Sequence, residues 1–188
     1  MVNLRTVIFL TGRPGVGKTS VLLKAVEELR KKGFDIGGMI SREAREGGSR
    51  VGFRLVDLHT GKEGWLARVE QRTGPKIGKY RVCLEDLESI GVKAVRNATK
   101  KANVTVIDEV GPMELFSQAF REAVTEALNS SETVLGTIHY RAEDPFVVAI
   151  KKRKDVKIVE VTEANRDQLA ELIVRQICEH QGNRQSEG

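Results

Sequence analysis

The stretch Gly12-Arg13-Pro14-Gly15-Val16-Gly17-Lys18-Thr19 decides how the rest of the chain is read. It fits G-x-x-x-x-G-K-[ST], the phosphate-binding P-loop or Walker A motif. Its glycines let the backbone turn back on itself, so that successive N–H groups point inward and cradle phosphate oxygens. Lys18 supplies a point charge for the outer phosphates. The Thr19 hydroxyl suits Mg²⁺, a hard cation that takes oxygen ligands. The helix that follows adds unpaired N–H groups and a partial positive charge. All eight residues, Gly12, Arg13, Pro14, Gly15, Val16, Gly17, Lys18 and Thr19, are therefore expected to bind nucleotide.

The flanks supply the setting the motif needs. Leu4 to Thr11 is apolar and β-branched, a buried strand. Beyond the loop, Leu22, Ala25, Val26 and Leu29 fall on one helix face. Lys31-Lys32-Gly33 stops that helix. Strand, glycine loop, helix implies an α/β fold with a mainly parallel central sheet.

The second informative stretch is Asn103 to Gly111, NVTVIDEVG. Val104, Val106 and Ile107 make an apolar strand that delivers Asp108 and Glu109 at its C-terminal end. An acid so placed is how a P-loop protein reaches Mg²⁺, often through water, as in the Walker B element. Thr19 and Asp108 are thus the expected metal residues. Glu109 is available to orient or deprotonate an attacking water. A glutamate of ordinary pKa is ionised at neutral pH, so this role requires no tuning. Catalysis is expected from Glu109 and Lys18.

Between these stretches, Phe34 to Ser41 reads as a glycine-interrupted strand and Arg42 to Ser49 as an exposed loop. Arg50 to Val69 reads as a hairpin turned at His59-Thr60-Gly61-Lys62, an antiparallel addition to the sheet. Trp65 is assigned to packing within it. Gln71 to Lys79 carries three Gly or Pro breakers and reads as a mobile loop, over the nucleotide or simply solvated. Tyr80-Arg81-Val82 is a short strand, and Leu84 to Ala102 a helix interrupted at Gly91.

After Gly111, an amphipathic helix begins near Phe116 and runs to Leu128. Thr133 to His139 is a buried strand, and Thr137 and His139 near its end are placed to feel a γ-phosphate. Asp144-Pro145 starts a short helix. The basic run Lys151-Lys152-Arg153-Lys154 reads as its solvated end. Val156 to Thr162 is a final strand. Asn165 and Arg166 open the last helix, as a cap or as part of a base site; Leu169, Leu172, Ile173 and Ile177 are expected to face inward.

The 188 residues suit one domain, expected over 1–181, with 182–188 a disordered tail. Net charge is +5 and the pI near 9.3, which favours acidic partners such as nucleotides. The basic residues are dispersed and no aromatic ladder accompanies them, so a nucleic-acid partner is possible but unsupported. Cys83 and Cys178 lack metal or redox spacing. No leader or membrane span is read at the start, which argues for a cytoplasmic protein, taken as a monomer.

Together GRPGVGKTS, VIDEVGPMEL, LGTIHYR and KIVEVTEANRDQL resemble the small nucleoside-triphosphatase family of archaea and thermophilic bacteria, whose human member is the cancer-related nucleoside-triphosphatase. The resemblance spans residues 4 to about 180. It implies a three-layer RecA-like P-loop fold with one strand between the P-loop strand and the Asp-Glu strand. It implies slow Mg²⁺-dependent hydrolysis of ATP, GTP, CTP, UTP and TTP with little base preference. It carries over two nucleotide-binding segments: Gly12 to Thr19, and Val104, Thr105, Val106, Ile107, Asp108, Glu109, Val110 and Gly111. Arg13, Arg42 and Arg141 are candidates for an arginine finger. A nucleoside or nucleotide kinase is the alternative enzyme, and an NTP-dependent nucleic-acid- or protein-binding switch the alternative of another class.

Overall fold

Val7–Thr11 (β1) is buried along its whole length, as its apolar run predicts. A computed structural model of the chain describes residues 5–141 and 143–185, with side chains described to His180. In it β1 pairs in parallel with Thr133–Ile138 (β8) on one side and Lys157–Glu160 (β9) on the other. Val104–Val110 (β7) pairs in parallel with β8 and with Ile36–Glu46 (β2). One strand, β8, therefore separates the P-loop strand from the acidic strand, as expected for a RecA-like sheet.

Alternation along β1 sorts the core into two layers. Ile8 and Leu10 face Lys18–Lys31 (α1) and Arg166–Gln185 (α6), meeting Leu22, Ala25, Leu29, Ile173 and Ile177. Val7 and Phe9 face the opposite layer, with Phe120, Ala123 and Val124 of Gln118–Asn129 (α4) and Val147 of Pro145–Lys151 (α5). Ala94, Val95 and Ala98 of Lys93–Lys101 (α3) lie in or against the same face. Helices thus cover both sides of the sheet.

The antiparallel addition is larger than the hairpin expected. β2 runs on to Glu46 and turns at Gly47-Gly48, both at positive φ, into Ser49–Asp57 (β3). The exposed loop expected over Arg42–Ser49 is therefore a second hairpin, whose polar side chains are those of a strand pair projecting past the parallel core. Glu63–Arg68 (β4) returns against β3 as expected. Within the loop expected over Gln71–Lys79, Lys76–Ile77 (β5) pairs with Tyr80–Val82 (β6), completing the order β5-β6-β4-β3-β2-β7-β8-β1-β9.

Other expectations also change in detail. The helix expected over 84–102 opens as Leu84–Asp86 (α2) and, instead of breaking at Gly91, widens into a π-helical turn over Leu87–Val92 before α3. Gly91 lies against Leu55 and Met39, where a Cβ would sit 3.0 Å from each. Phe116 ends a 3-10 turn, Glu114–Phe116, ahead of α4 and is exposed. Leu172 is exposed too; Ala170 and Val174 face inward with Leu169, Ile173 and Ile177. The basic run is not merely solvated: Lys151 donates to the carbonyls of His139 and Tyr140, and Arg153 binds Asp155 and the Leu128 carbonyl. Trp65 packs under the Arg54 guanidinium, 4.0 Å from its ring centre. Cys83 and Cys178 are free thiols. Helix α6 continues to Gln185, so 182–185 extend it; the rest of the expected tail, 186–188, lies outside the described residues. Among the described residues no helix is long and apolar enough to cross a membrane.

Candidate functional site

The P-loop leaves β1 through Gly12, Gly15 and Gly17, at φ 145°, 77° and 108°. At Gly12 a Cβ would lie 2.6 Å from the Val161 carbonyl, so glycine is needed where the loop passes the end of β9. Gly17 is the N-cap of α1 and offers no side-chain acceptor; the first turn carries no acid. Its N–H groups and the positive end of the helix dipole are left facing the loop. Lys18 curls back over it, its Nζ donating to the Gly12 and Arg13 carbonyls at 3.0 and 3.3 Å.

β7 brings the acids to the same place. The β7–β8 ladder slips between Ile107 and Val110, where three steps on β7 match two on β8. Such a bulge re-aims side chains. Asp108 turns to the P-loop: the Thr19 hydroxyl donates to its two oxygens at 3.2 and 3.1 Å, and the buried Thr137 hydroxyl donates at 2.7 Å. Asp108 is 1% exposed. Burial pushes its carboxyl up to about 6; the Glu109 charge adds to this, and the two threonines and the Ser41 N–H oppose it. Glu109 turns the other way, into the cavity. Burial raises its pKa above the ordinary glutamate value and Lys18 opposes that rise.

A cavity of about 1110 Å³ joins these groups. Its wall includes Gly12, Arg13, Pro14, Gly15, Gly17, Lys18 and Thr19 from the loop and Glu109 from the acidic strand. Val104, Thr105, Val106 and Ile107 are buried within the sheet and outside the wall, as are Val110 and Gly111; they carry the acids rather than line the cavity. Arg13, Arg42 and Arg141 all line it. His139 does as well, with a buried Nδ1 that has no hydrogen-bond partner among the described residues; burial, then Lys151 and Lys18, lower the pKa of its imidazole and favour the neutral form. Thr137 is committed to Asp108 and does not line the cavity.

Asn165 fastens the turn before α6: its side chain accepts from the Thr162 N–H and donates to the Glu160 carbonyl. Arg166 reaches the loop from the side, donating to the Val16 carbonyl at 3.4 Å. Sequence reasoning missed Glu114, which lines the cavity although only 4% exposed. The signal was an acid inside the apolar run Met113-Glu114-Leu115-Phe116.

A phosphate loop opening a helix, beside a strand that ends in Asp-Glu, with one strand between, defines a P-loop α/β protein of RecA-like topology. A family model described as NTPase matches residues 7–174. Nucleoside-triphosphatase THEP1 of Thermofilum pendens is 50% identical over 170 residues, covering 90% of this chain and 93% of that one. The protein of the same name from Methanosarcina acetivorans is 46% identical over 93% of this chain and 98% of its own. The crystal structure of THEP1 from Aquifex aeolicus superimposes with a TM-score of 0.81 at 31% identity, covering 92% and 98% of the two chains. The solution structure of a human cancer-related nucleoside triphosphatase does so at 0.76 and 41% identity, covering 91% and 96%. The chain belongs to this NTPase family.

Proposed function

We propose that the protein hydrolyses nucleoside triphosphates to the diphosphate and inorganic phosphate, acting through the P-loop and Glu109. The observation that carries this reading is the hydrogen bond between Thr19 and Asp108, which ties the phosphate loop to the acidic strand end and leaves Glu109 facing the cavity. The relatives named nucleoside-triphosphatase support it.

The loop N–H groups and Lys18 bind the β- and γ-phosphates. Glu109 accepts a hydrogen bond from a water on the far side of the γ-phosphorus and aligns it with the leaving β-phosphate oxygen. Its carboxylate takes the water's proton as the P–O bond to the β-phosphate breaks. Catalysis is mostly placement and charge stabilisation. The Thr19 hydroxyl and Asp108 carboxylate face each other as hard oxygen donors, a set that fits Mg²⁺. Thr19 and Asp108 would hold Mg²⁺ there, and the ion would supply neutralisation of phosphate charge.

Little base preference is expected. The amide of Asn165 is spent on Glu160 and Thr162, and Arg166, which reaches the Val16 carbonyl beside it, is exposed. Turnover is expected to be slow. Among the described residues no ion pair holds Arg13, Arg42 or Arg141 in one position, so a charge for the γ-phosphate is not fixed in advance. The protein is taken to work as a cytoplasmic monomer.

Phosphate release from ATP, GTP, CTP, UTP and TTP, with and without Mg²⁺, tests this reading. Slow release from all five that stops with chelator is expected. Release from one alone, or at an equal rate without the cation, would contradict it.

A further inference from the structure

The cavity is larger than hydrolysis requires, and the extra room lies on one side. The P-loop leaves β1, and Glu109 stands on β7, two strands away in the sheet. At about 4.8 Å per strand, that interval of roughly 10 Å is where the phosphates lie. Past Glu109 the wall continues over β2, β3 and β4 through Ser41, Phe53 and Leu66. Three further strand spacings add roughly 14 Å in the plane of the sheet. An attacking water takes about 30 Å³. With the γ-phosphate at Glu109, the rest of the nucleotide trails away from this region.

The antiparallel addition builds that wall. β2 and β3 run on past the parallel strands, with Phe53 opposite Glu43. The Phe53 ring is held edge-on by Tyr80, with centroids 5.3 Å apart and planes at 67°. Leu66, Ile77 and Met113 continue the apolar surface into the cavity. Cations stand around it: Arg42 on β2, Arg50 on β3 and Arg141 after β8. Besides Glu109, the acids on the wall are Glu43 and the buried Glu114. Glu43 is bound by Arg45 at 2.9 Å and lies 3.4 Å from Arg50. Two buried nitrogens on this wall, Arg50 Nε and His139 Nδ1, have no hydrogen-bond partner among the described residues. A buried N–H is seldom left without an acceptor. An anion entering the cavity would supply one to Arg50.

We propose that this part of the cavity is a second ligand subsite, separate from the nucleotide's, for a small aromatic phosphate monoester. Its phosphate sits on Arg50 beside Arg42, and its ring on Phe53, Leu66 and Ile77. The proposal rests on the reading that a triphosphate lies on the P-loop with its γ end at Glu109. A guanidinium fork matches phosphate oxygens two at a time. A ring already fixed by a neighbour offers a flat apolar contact at little entropic cost. Three arginines suit a phosphate dianion better than a single carboxylate.

The test uses the full chain with its P-loop filled by the non-hydrolysable ATP analogue AMP-PNP and Mg²⁺. Phenyl phosphate, inorganic phosphate and phenol are each titrated in by calorimetry. Phenyl phosphate should bind once per chain, ~10-fold or more tighter than either fragment, without displacing AMP-PNP. Arg50→Gln should weaken it ~10-fold. Phe53→Leu should weaken it ~3-fold or more. Both variants should keep the parent's AMP-PNP affinity, and Arg50→Gln, on a solvent-facing hairpin, carries the test should Phe53→Leu not fold. Four results would each overturn the proposal: no binding to the loaded protein, inorganic phosphate binding as tightly as phenyl phosphate, displacement of AMP-PNP, or a parallel loss of AMP-PNP affinity in the variants. The last would make Arg50 and Phe53 part of the nucleotide's own site. Phosphate release by the parent is measured separately; its absence would sink the hydrolase reading and leave the subsite standing, since the titration involves no hydrolysis.

Discussion

At Gly111 and Thr137 the account turns on single atoms. A Cβ on Gly111 would fall 2.9 Å from Glu109 Oε1 and 3.2 Å from its Cδ, so Gly111→Ala must displace the carboxylate. The expected outcome is a rate ~10-fold lower or worse with nucleotide affinity unchanged, read by phosphate release beside a fluorescent-nucleotide titration. Thr137 donates to Asp108 at 2.7 Å and so holds its pKa down against burial. Removing that donor in Thr137→Val raises the carboxyl further above about 6 and enlarges the protonated fraction at a given pH. The Mg²⁺ concentration giving half the maximal rate should rise, and rise more at pH 6 than at pH 8. An unchanged requirement at both would show that Thr137 does not tune Asp108. The P-loop and the Asp-Glu pair were legible in sequence because their chemistry demands fixed residue types at short spacing. Glu114 was not, since only the folded turn shows that its carboxyl is buried beside Glu109.

Between elements, the β7–β8 contact sets where the acids end up. Gly136 on β8 is opposite Ile107, and a Cβ there would lie 2.4 Å from the Ile107 carbonyl and 2.9 Å from the Phe9 ring. Gly136→Ala should cost about 2–4 kcal/mol through overpacking and strand displacement, measured by urea unfolding. It should also slow hydrolysis, because β7 cannot shift without moving Asp108 and Glu109. Asp144 performs two tasks at once, capping α5 through the Phe146 N–H and binding Arg121. Asp144→Ala should cost about 1–2 kcal/mol in the same assay, mostly the lost cap. Apolar periodicity located most elements, but not their edges. Phe116 has the spacing of a helix face yet ends the preceding 3-10 turn, and Leu172 follows the α6 pattern yet lies on the solvent side. The β2–β3 hairpin was hidden because charged side chains at Arg42–Glu46 obey the geometry of a strand that has left the core and no longer alternates with apolar residues.

Across the whole molecule, the end of the sheet away from the P-loop is closed by charge. Asp155 accepts from Arg153 at 2.8 Å and from Arg5, while Arg5 also binds the Ser130 carbonyl and Arg153 the Leu128 carbonyl. The bond from Arg153 first, and then that from Arg5, hold the Asp155 carboxyl down to about 2. A carboxyl lowered in the folded state stabilises it above the unfolded value near 3.9 and ceases to do so as pH falls toward 2. The Asp155→Asn variant should therefore unfold more easily than the parent at pH 7, with the gap narrowing steadily below pH 4. A constant gap would remove the charge explanation. An α/β plan with a mainly parallel sheet was accessible from sequence, because β1, α1 and β7 carry both the motifs and strong apolar runs; the three layers were implied by the family resemblance. Tyr80–Val82 was legible as a strand, but the nine-stranded extent was not, since β5 is a two-residue strand inside a segment of Gly and Pro.

The central claim is that the P-loop holds a nucleoside triphosphate while Glu109 aligns the water that attacks it. Its most direct test is single-turnover phosphate release by the parent and by Glu109→Gln, with nucleotide affinity measured on both. The account predicts equal affinity and a rate lower by ~10²-fold or more in the variant. A Glu109→Gln variant that binds and hydrolyses at the parent rate would contradict it.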